Sequence, residues 1–344
     1  RAETYKAALR AYAAERQTEK AEQIMNTLEK VMAADPEGAA KLTQLYISLG
    51  LELERHLNRL RQERRDEEAK QVLEGFELFL DRIAKRPDNT ISTLYWVAET
   101  LQSLGSGLDP GGIRSCPPDV KPYYEKAAAA FEKLLELVEA QLAQINRQLQ
   151  PLEEKLKQIQ DETAKTAEEE KILPMREEKT RHENLRGSIL LRLAKSCRRI
   201  GQYKEALRWI TLLLQEKPMM IDGQVEGAYI CQAWGSENPK YYIYAIQGGL
   251  KGKRRDGQEF QLPIWGWGRL ARTVQRFMTD PRMEAPERQA EKQRYADYFH
   301  EARYNLALCR FEYAKTLSGD RRANALKQAE EDILIVYRLM PELG

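Results

Sequence analysis

The residue types that perform nucleophilic, acid–base or metal chemistry are few in this chain and poorly spaced for it. Its three histidines, His56, His182 and His300, stand far apart, so no His-centred triad or local metal cluster emerges. HExxH, GxSxG and the GxxxxGK[ST] phosphate loop are absent, which removes the usual carriers of zinc-hydrolase, serine-hydrolase and P-loop chemistry. Cys116, Cys197, Cys231 and Cys309 form no CxxC pair and have no histidine at ligand spacing, a pattern that argues against zinc. They read as buried thiols acting as small hydrophobes, with a disulfide as the alternative. No catalytic, cofactor-binding or metal residue is assigned, and the expectation is a non-enzyme without a cofactor.

Two segments keep some chemical interest. Between Gly248 and Gly257, glycines are interleaved with Lys251, Lys253, Arg254 and Arg255. Such a segment can contact phosphate, yet it follows a helical pattern and lacks phosphate-loop order, so a solvated loop is its default reading. Next comes Pro263-Ile264-Trp265-Gly266-Trp267-Gly268. Trp267 is in helical phase with Leu270, Ala271 and Val274 and reads as packed between helices; Trp265 is less constrained and reads as a candidate binding anchor.

The elements that must position these residues are helical. A chain of 344 residues, 42% hydrophobic and 31% charged, is too long for one core but suits stacked helices. Lys and Arg total 55 against 53 for Asp and Glu, a net charge of +2, which gives no global field toward nucleic acid or anionic lipid. No apolar run approaches the ~20 residues that span a bilayer. The Arg1 start and the Met340–Gly344 end read as the bounds of a piece excised from a longer protein, and the compartment (cytoplasmic, periplasmic or secreted) is left unassigned. Apolar periodicity near 3.6 runs throughout and no segment alternates usefully with period two, so the fold class is all-α.

Glycine and proline divide the chain. Helical pairs are expected over residues 1–103, beginning with Thr4–Arg16 and Thr18–Ala34; a Gly/Pro-rich inserted loop over 104–120; an extended helix and coiled-coil arm over 121–186; further pairs over 187–250; the basic glycine-rich loop over 251–263; and C-terminal pairs over 264–344. Within the arm, Leu135, Val138, Leu142, Ile145, Leu149, Leu152, Leu156 and Ile159 step by three and four, the spacing of a coiled-coil seam about 36 Å long at 1.5 Å per residue. Pro151 lies off that seam and reads as a kink, not an end. Residues 166–186 can descend as the partner helix but offer only a thin apolar set. Either an antiparallel hairpin with a partly wet tip or pairing of the surplus seam with a second copy or another protein is open.

From Gly187 to Pro218, the residues Leu190, Leu193, Ala194, Cys197, Gly201, Tyr203, Ala206, Ile210 and Pro218 fall at the spacings of a tetratricopeptide repeat, and the chain resembles that family. Degenerate versions recur at Leu94–Leu101 with Ala127 and Phe131, at 224–249, and at Leu306-Ala307 with Ala329, Ile333 and Val336. The resemblance implies a right-handed α-solenoid of stacked helical hairpins, with the coiled-coil insertion projecting from it. It also implies a concave groove lined by first helices, which by position would present Tyr95, Glu99, Gln102, Leu191, Lys195, Arg198, Arg199, Tyr229, Gln232, Tyr304, Leu308 and Phe311. The Lys195, Arg198 and Arg199 cluster points to an acidic or C-terminal peptide. Leu191 and Lys195, however, stand where chaperone-binding members carry their carboxylate-clamping Lys and Asn. The expected function is a scaffold that binds protein or peptide in the groove, with self-association through the arm left open; the alternatives are a helical-repeat nucleic-acid binder or the regulatory part of a larger enzyme.

Overall fold

The computed structural model describes residues 38–86, 89–111, 115–253 and 259–339, with single positions between 20 and 30. The helices expected over Thr4–Ala34 and the terminal Pro341 lie outside the described residues. Within them the chain is all-α: α1 Gly38–Gln62, α2 Asp66–Ala84, α3 Ile91–Leu108, α4 Lys121–Gln158, α5 Glu162–Arg199, α6 Tyr203–Glu216, α7 Ile221–Gly235, α8 Lys240–Gln247, α9 Trp267–Met278, α10 Gln289–Ala314 and α11 Gly319–Leu339. The chain forms two compact units, residues 1–107 with 126–144, and residues 108–125 with 145–344.

The core of the first unit follows from apolar residues at three- and four-residue steps. Tyr46, Leu53, Leu57 and Leu60 of α1, Phe76, Phe79, Leu80 and Ile83 of α2, and Val97, Ala98 and Leu101 of α3 are buried. Tyr46 meets Phe79 edge-on at 5.6 Å, a favoured aromatic geometry. Gly50 on α1 has no room for a Cβ, because the Trp96 ring of α3 occupies that space. On α4, Lys126 is held between Glu77 and Asp81 of α2.

In the second unit neighbouring helices pack in chain order, α5 on α6, α6 on α7, α7 on α8, α9 on α10 and α10 on α11. Its core gathers Ala228, Cys231, Ala245, Trp267, Leu270, Phe299, Leu306 and Cys309. Gly201 (φ +82°) follows α5 and Gly319 (φ +55°) opens α11, left-handed positions where glycine avoids a Cβ penalty. A Cβ on Gly266 would collide with the backbone nitrogens of Gln247 and Gly248, so close backbone approach accounts for a glycine beside two tryptophans.

Three elements differ from the sequence reading. The helix before the 104–120 segment continues to Leu108. The descending helix of the arm and the first helix of the Gly187 hairpin are one helix, α5, with Pro174 inside it. The ends of the 251–263 segment pair as an antiparallel ladder, β1 Lys251–Lys253 with β2 Glu259–Gln261, in the register Lys251↔Gln261. Phe260 lies against Gly252, which has no side chain to obstruct it, and Lys251 pairs with Glu259 at 3.1 Å. Three residues per strand is too short for a period-two signal.

The arm is a helical hairpin. Helix α4 runs through Pro151 without ending, and Asp161 caps α5 by accepting the Ala164 N–H at 2.7 Å. Leu135, Val138, Leu142, Ile145, Leu149 and Leu156 of the seam are buried. In the second unit, Leu149, Leu156 and Ile172 form a cluster joined by the partly buried Leu152, Ile159 and Met175. Arg176 reaches Glu153 at 3.1 Å and Lys155 reaches Glu168 at 2.9 Å across the two helices. The thin apolar set of the descending helix, Ile172 and Met175, therefore packs on the 149–159 part of the seam within the chain.

Candidate functional site

Helix α7 carries Asp222, Glu226, Tyr229 and Gln232 along one stripe, and these side chains tie α5, α9 and α10 together. Arg198 donates from Nε to Glu226 at 2.5 Å and from Nη2 at 3.2 Å, both side chains being 8% exposed. Burial opposes the Arg198 charge, but the Glu226 carboxylate outweighs it and holds the guanidinium above its usual range. The guanidinium also lies 5.1 Å from the centre of the Tyr229 ring. Tyr229 donates to Glu301 at 2.6 Å, and burial together with that acceptor pushes its phenol up. Asn305 donates to the Tyr229 oxygen at 3.3 Å. Gln232 donates to Asn305 at 3.0 Å and accepts from Trp267 Nε1 at 2.8 Å.

A second buried pair holds the 108–125 segment. Arg199 donates to Asp109 at 2.7 and 2.6 Å, the Cys116 N–H donates to the Arg199 carbonyl at 2.7 Å, and Cys116, Val120, Tyr124 and Ile200 close around it. The glycine- and proline-rich insertion is thus pinned to the end of α5.

These contacts correct the expected groove. Arg198, Arg199 and Gln232 are buried and engaged inside the protein, so they are not presented to an acidic peptide. Lys195 is half-buried, and its ammonium is depressed mainly by burial, with Arg198, Arg192 and Arg199 adding to the effect against Glu226. Leu191, four residues earlier on the same helix, is also half-buried. Tyr95, Glu99 and Gln102 belong to the first unit, the first two half-buried and Gln102 buried. Trp265 is also buried, under the Arg269 guanidinium at 4.8 Å, and is not displayed as an anchor.

Tyr304, Leu308 and Phe311 do come together on an open surface. With Ala307 of α10 and Leu326, Ala329, Glu330, Ile333 and Leu334 of α11 they line a groove of about 430 Å³. Tyr304 is 59% exposed, and Phe311 and Ile333 are each 45% exposed. Two ridges with helical spacing, 304-307/308-311 and 326-329/330-333/334, flank a channel in which Glu330 is the single charged lining residue. The hairpin is clamped below by Asp332, which pairs with Arg303 at 3.3 Å and Arg310 at 2.7 Å. Sequence reasoning missed the α11 side because Ile333 fitted the repeat's packing pattern; its signal was the adjacent Leu334 and Tyr337, more apolar surface than one packed face needs.

Among the described residues, no group of three or more His, Cys, Asp or Glu side chains is placed to hold a metal ion, and no helix is long and apolar enough to cross a membrane. All four cysteines are free and buried. Burial pushes the Cys231 thiol up to about 12, which lowers its thiolate fraction at neutral pH about a thousandfold. Native protein is expected to react negligibly with a thiol-exchange reagent over minutes and to release four equivalents on unfolding; rapid labelling of Cys231 in the folded state would contradict its burial. Searches of protein-family models, curated proteins and solved structures found nothing that matches this chain.

Proposed function

We propose that the chain is a non-enzymatic scaffold of tetratricopeptide-like hairpins, stacked as an α-solenoid, that binds a partner protein by taking an apolar helix into the α10–α11 groove. The observation that carries this reading is the open apolar channel between Tyr304, Leu308, Phe311, Ile333 and Leu334. Exposed apolar surface of this kind marks interaction sites, and two parallel ridges at helical spacing suit a third helix laid between them. The buried Arg198–Glu226 and Arg199–Asp109 pairs each neutralise their charges within the second unit, which suits a structural role for them.

The test is affinity capture with the intact chain, followed by direct binding measurements on the purified partner, for wild type and for Leu308→Asp and Leu334→Asp. A groove anchor contributes about 2 kcal/mol or more, so each variant should weaken the partner about thirtyfold. Light scattering on the chain alone identifies a second copy as the occupant if the mass doubles and falls again in the variants, an outcome that overturns the partner-protein reading. Undiminished binding by both variants overturns the groove.

A further inference from the structure

Helix α9 has two unlike faces. Trp267, Leu270, Ala271 and Val274 are buried on one, while Arg269, Arg272 and Arg276 are exposed on the other at i, i+3 and i+7. The arginines border a hollow of about 460 Å³ shared with Met219, Trp265, Thr273 and Phe277. Phe277 is fixed against Tyr295 at 5.2 Å, and Met219 is 57% exposed. Several other arginines of this unit are paired: Arg186 with Glu216, Arg198 with Glu226, Arg288 with Glu291, Arg294 with Asp222, and Arg303 and Arg310 with Asp332. Arg269, Arg272 and Arg276 make no ion pair with any described carboxylate; their one charge contact is Arg269 over the Trp265 ring.

We propose that this face binds an acidic segment of a partner protein, with Arg272 and Arg276 pairing to carboxylates and an apolar side chain of the same segment seated against Met219 and Phe277. Three guanidiniums without counter-charges repel one another, and carboxylates are the groups whose geometry their planar forks match. The rise between them is about 4.5 and 6 Å along α9, the spacing of acidic residues on one face of a facing helix. A protein partner fits better than nucleic acid. The chain's net charge is only +2, so no long-range field assists a polyanion. Trp265 is buried under Arg269 and presents no free ring for base stacking, whereas Met219 and Phe277 offer apolar contact beside the charges. This surface is separate from the α10–α11 groove and does not depend on it.

The test is fluorescence anisotropy on the intact chain with a labelled peptide of repeating Glu-Glu-Leu, compared with labelled oligothymidylate and with vesicles containing phosphatidylserine. The peptide should bind, weaken as salt rises toward about 0.5 M, and lose about tenfold in affinity in Arg272→Gln/Arg276→Gln. That variant leaves Arg269 over Trp265, and its thermal melt should overlay that of wild type, since exposed surface substitutions away from packed features perturb stability little. Leu308→Asp should leave peptide affinity unchanged, so failure of the groove reading and failure of this one are told apart. The proposal is overturned if the peptide does not bind, if the arginine variant binds it as well as wild type, or if only the oligonucleotide or the vesicles show arginine-dependent binding.

Discussion

Arg198→Ala should lower the stability of the second unit by about 3–5 kcal/mol, because it leaves the buried Glu226 carboxylate without its hydrogen-bonded counter-charge. Both side chains are 8% exposed, so water cannot replace the lost partner. The loss should propagate to Tyr229, whose ring lies under the guanidinium. Replacing both members, Arg198→Met with Glu226→Leu, should instead be close to neutral or stabilise by up to about 4 kcal/mol, since the desolvation penalty of the pair disappears with the pair. Urea unfolding of the two variants checks the contrast. Equal destabilisation by the single and double replacements would show that packing around Arg198, not its charge, is what holds α5 to α7.

The second large effect is at Trp267. Its ring is fully buried, meets Tyr229 edge-on at 4.9 Å and donates to Gln232 at 2.8 Å. Trp267→Ala should cost about 3–5 kcal/mol through the cavity it opens, and the orphaned Gln232 oxygen adds about 1–3 kcal/mol. Trp267→Phe fills most of the space but lacks the donor, so it isolates the hydrogen bond. A phenylalanine variant as stable as wild type would mean that Gln232 finds another donor. The prediction is read from the shift in urea midpoint, with the slope checked for a change in two-state behaviour.

Much of the helical architecture was legible because it is carried by local periodicity. The 3-and-4 stepping from Leu135 to Ile159 placed the arm, and glycine and proline punctuation placed the bends at Gly201 and Gly319, both of which have positive φ. What the sequence concealed was long-range. Arg198 and Arg199 read as ligand-facing cations because their counter-charges are 28 and 90 residues away, at separations no periodicity reports. The groove was half legible: Tyr304, Leu308 and Phe311 were assigned by position on a first helix, whereas the α11 wall depends on which apolar residues its neighbours leave uncovered. The arginine face of α9 was present in the sequence as three cations at i, i+3 and i+7, but only the structure shows that no described carboxylate pairs with them.

The α10–α11 channel is the surface on which the functional proposal rests, and hydrogen–deuterium exchange on the intact chain with its captured partner tests it most directly. Binding should slow amide exchange in residues 304–311 and 326–334 while leaving the arm near Leu149 and Ile172 unchanged. Exchange in those two segments that is the same with and without partner, while protection arises elsewhere, would contradict the proposed site.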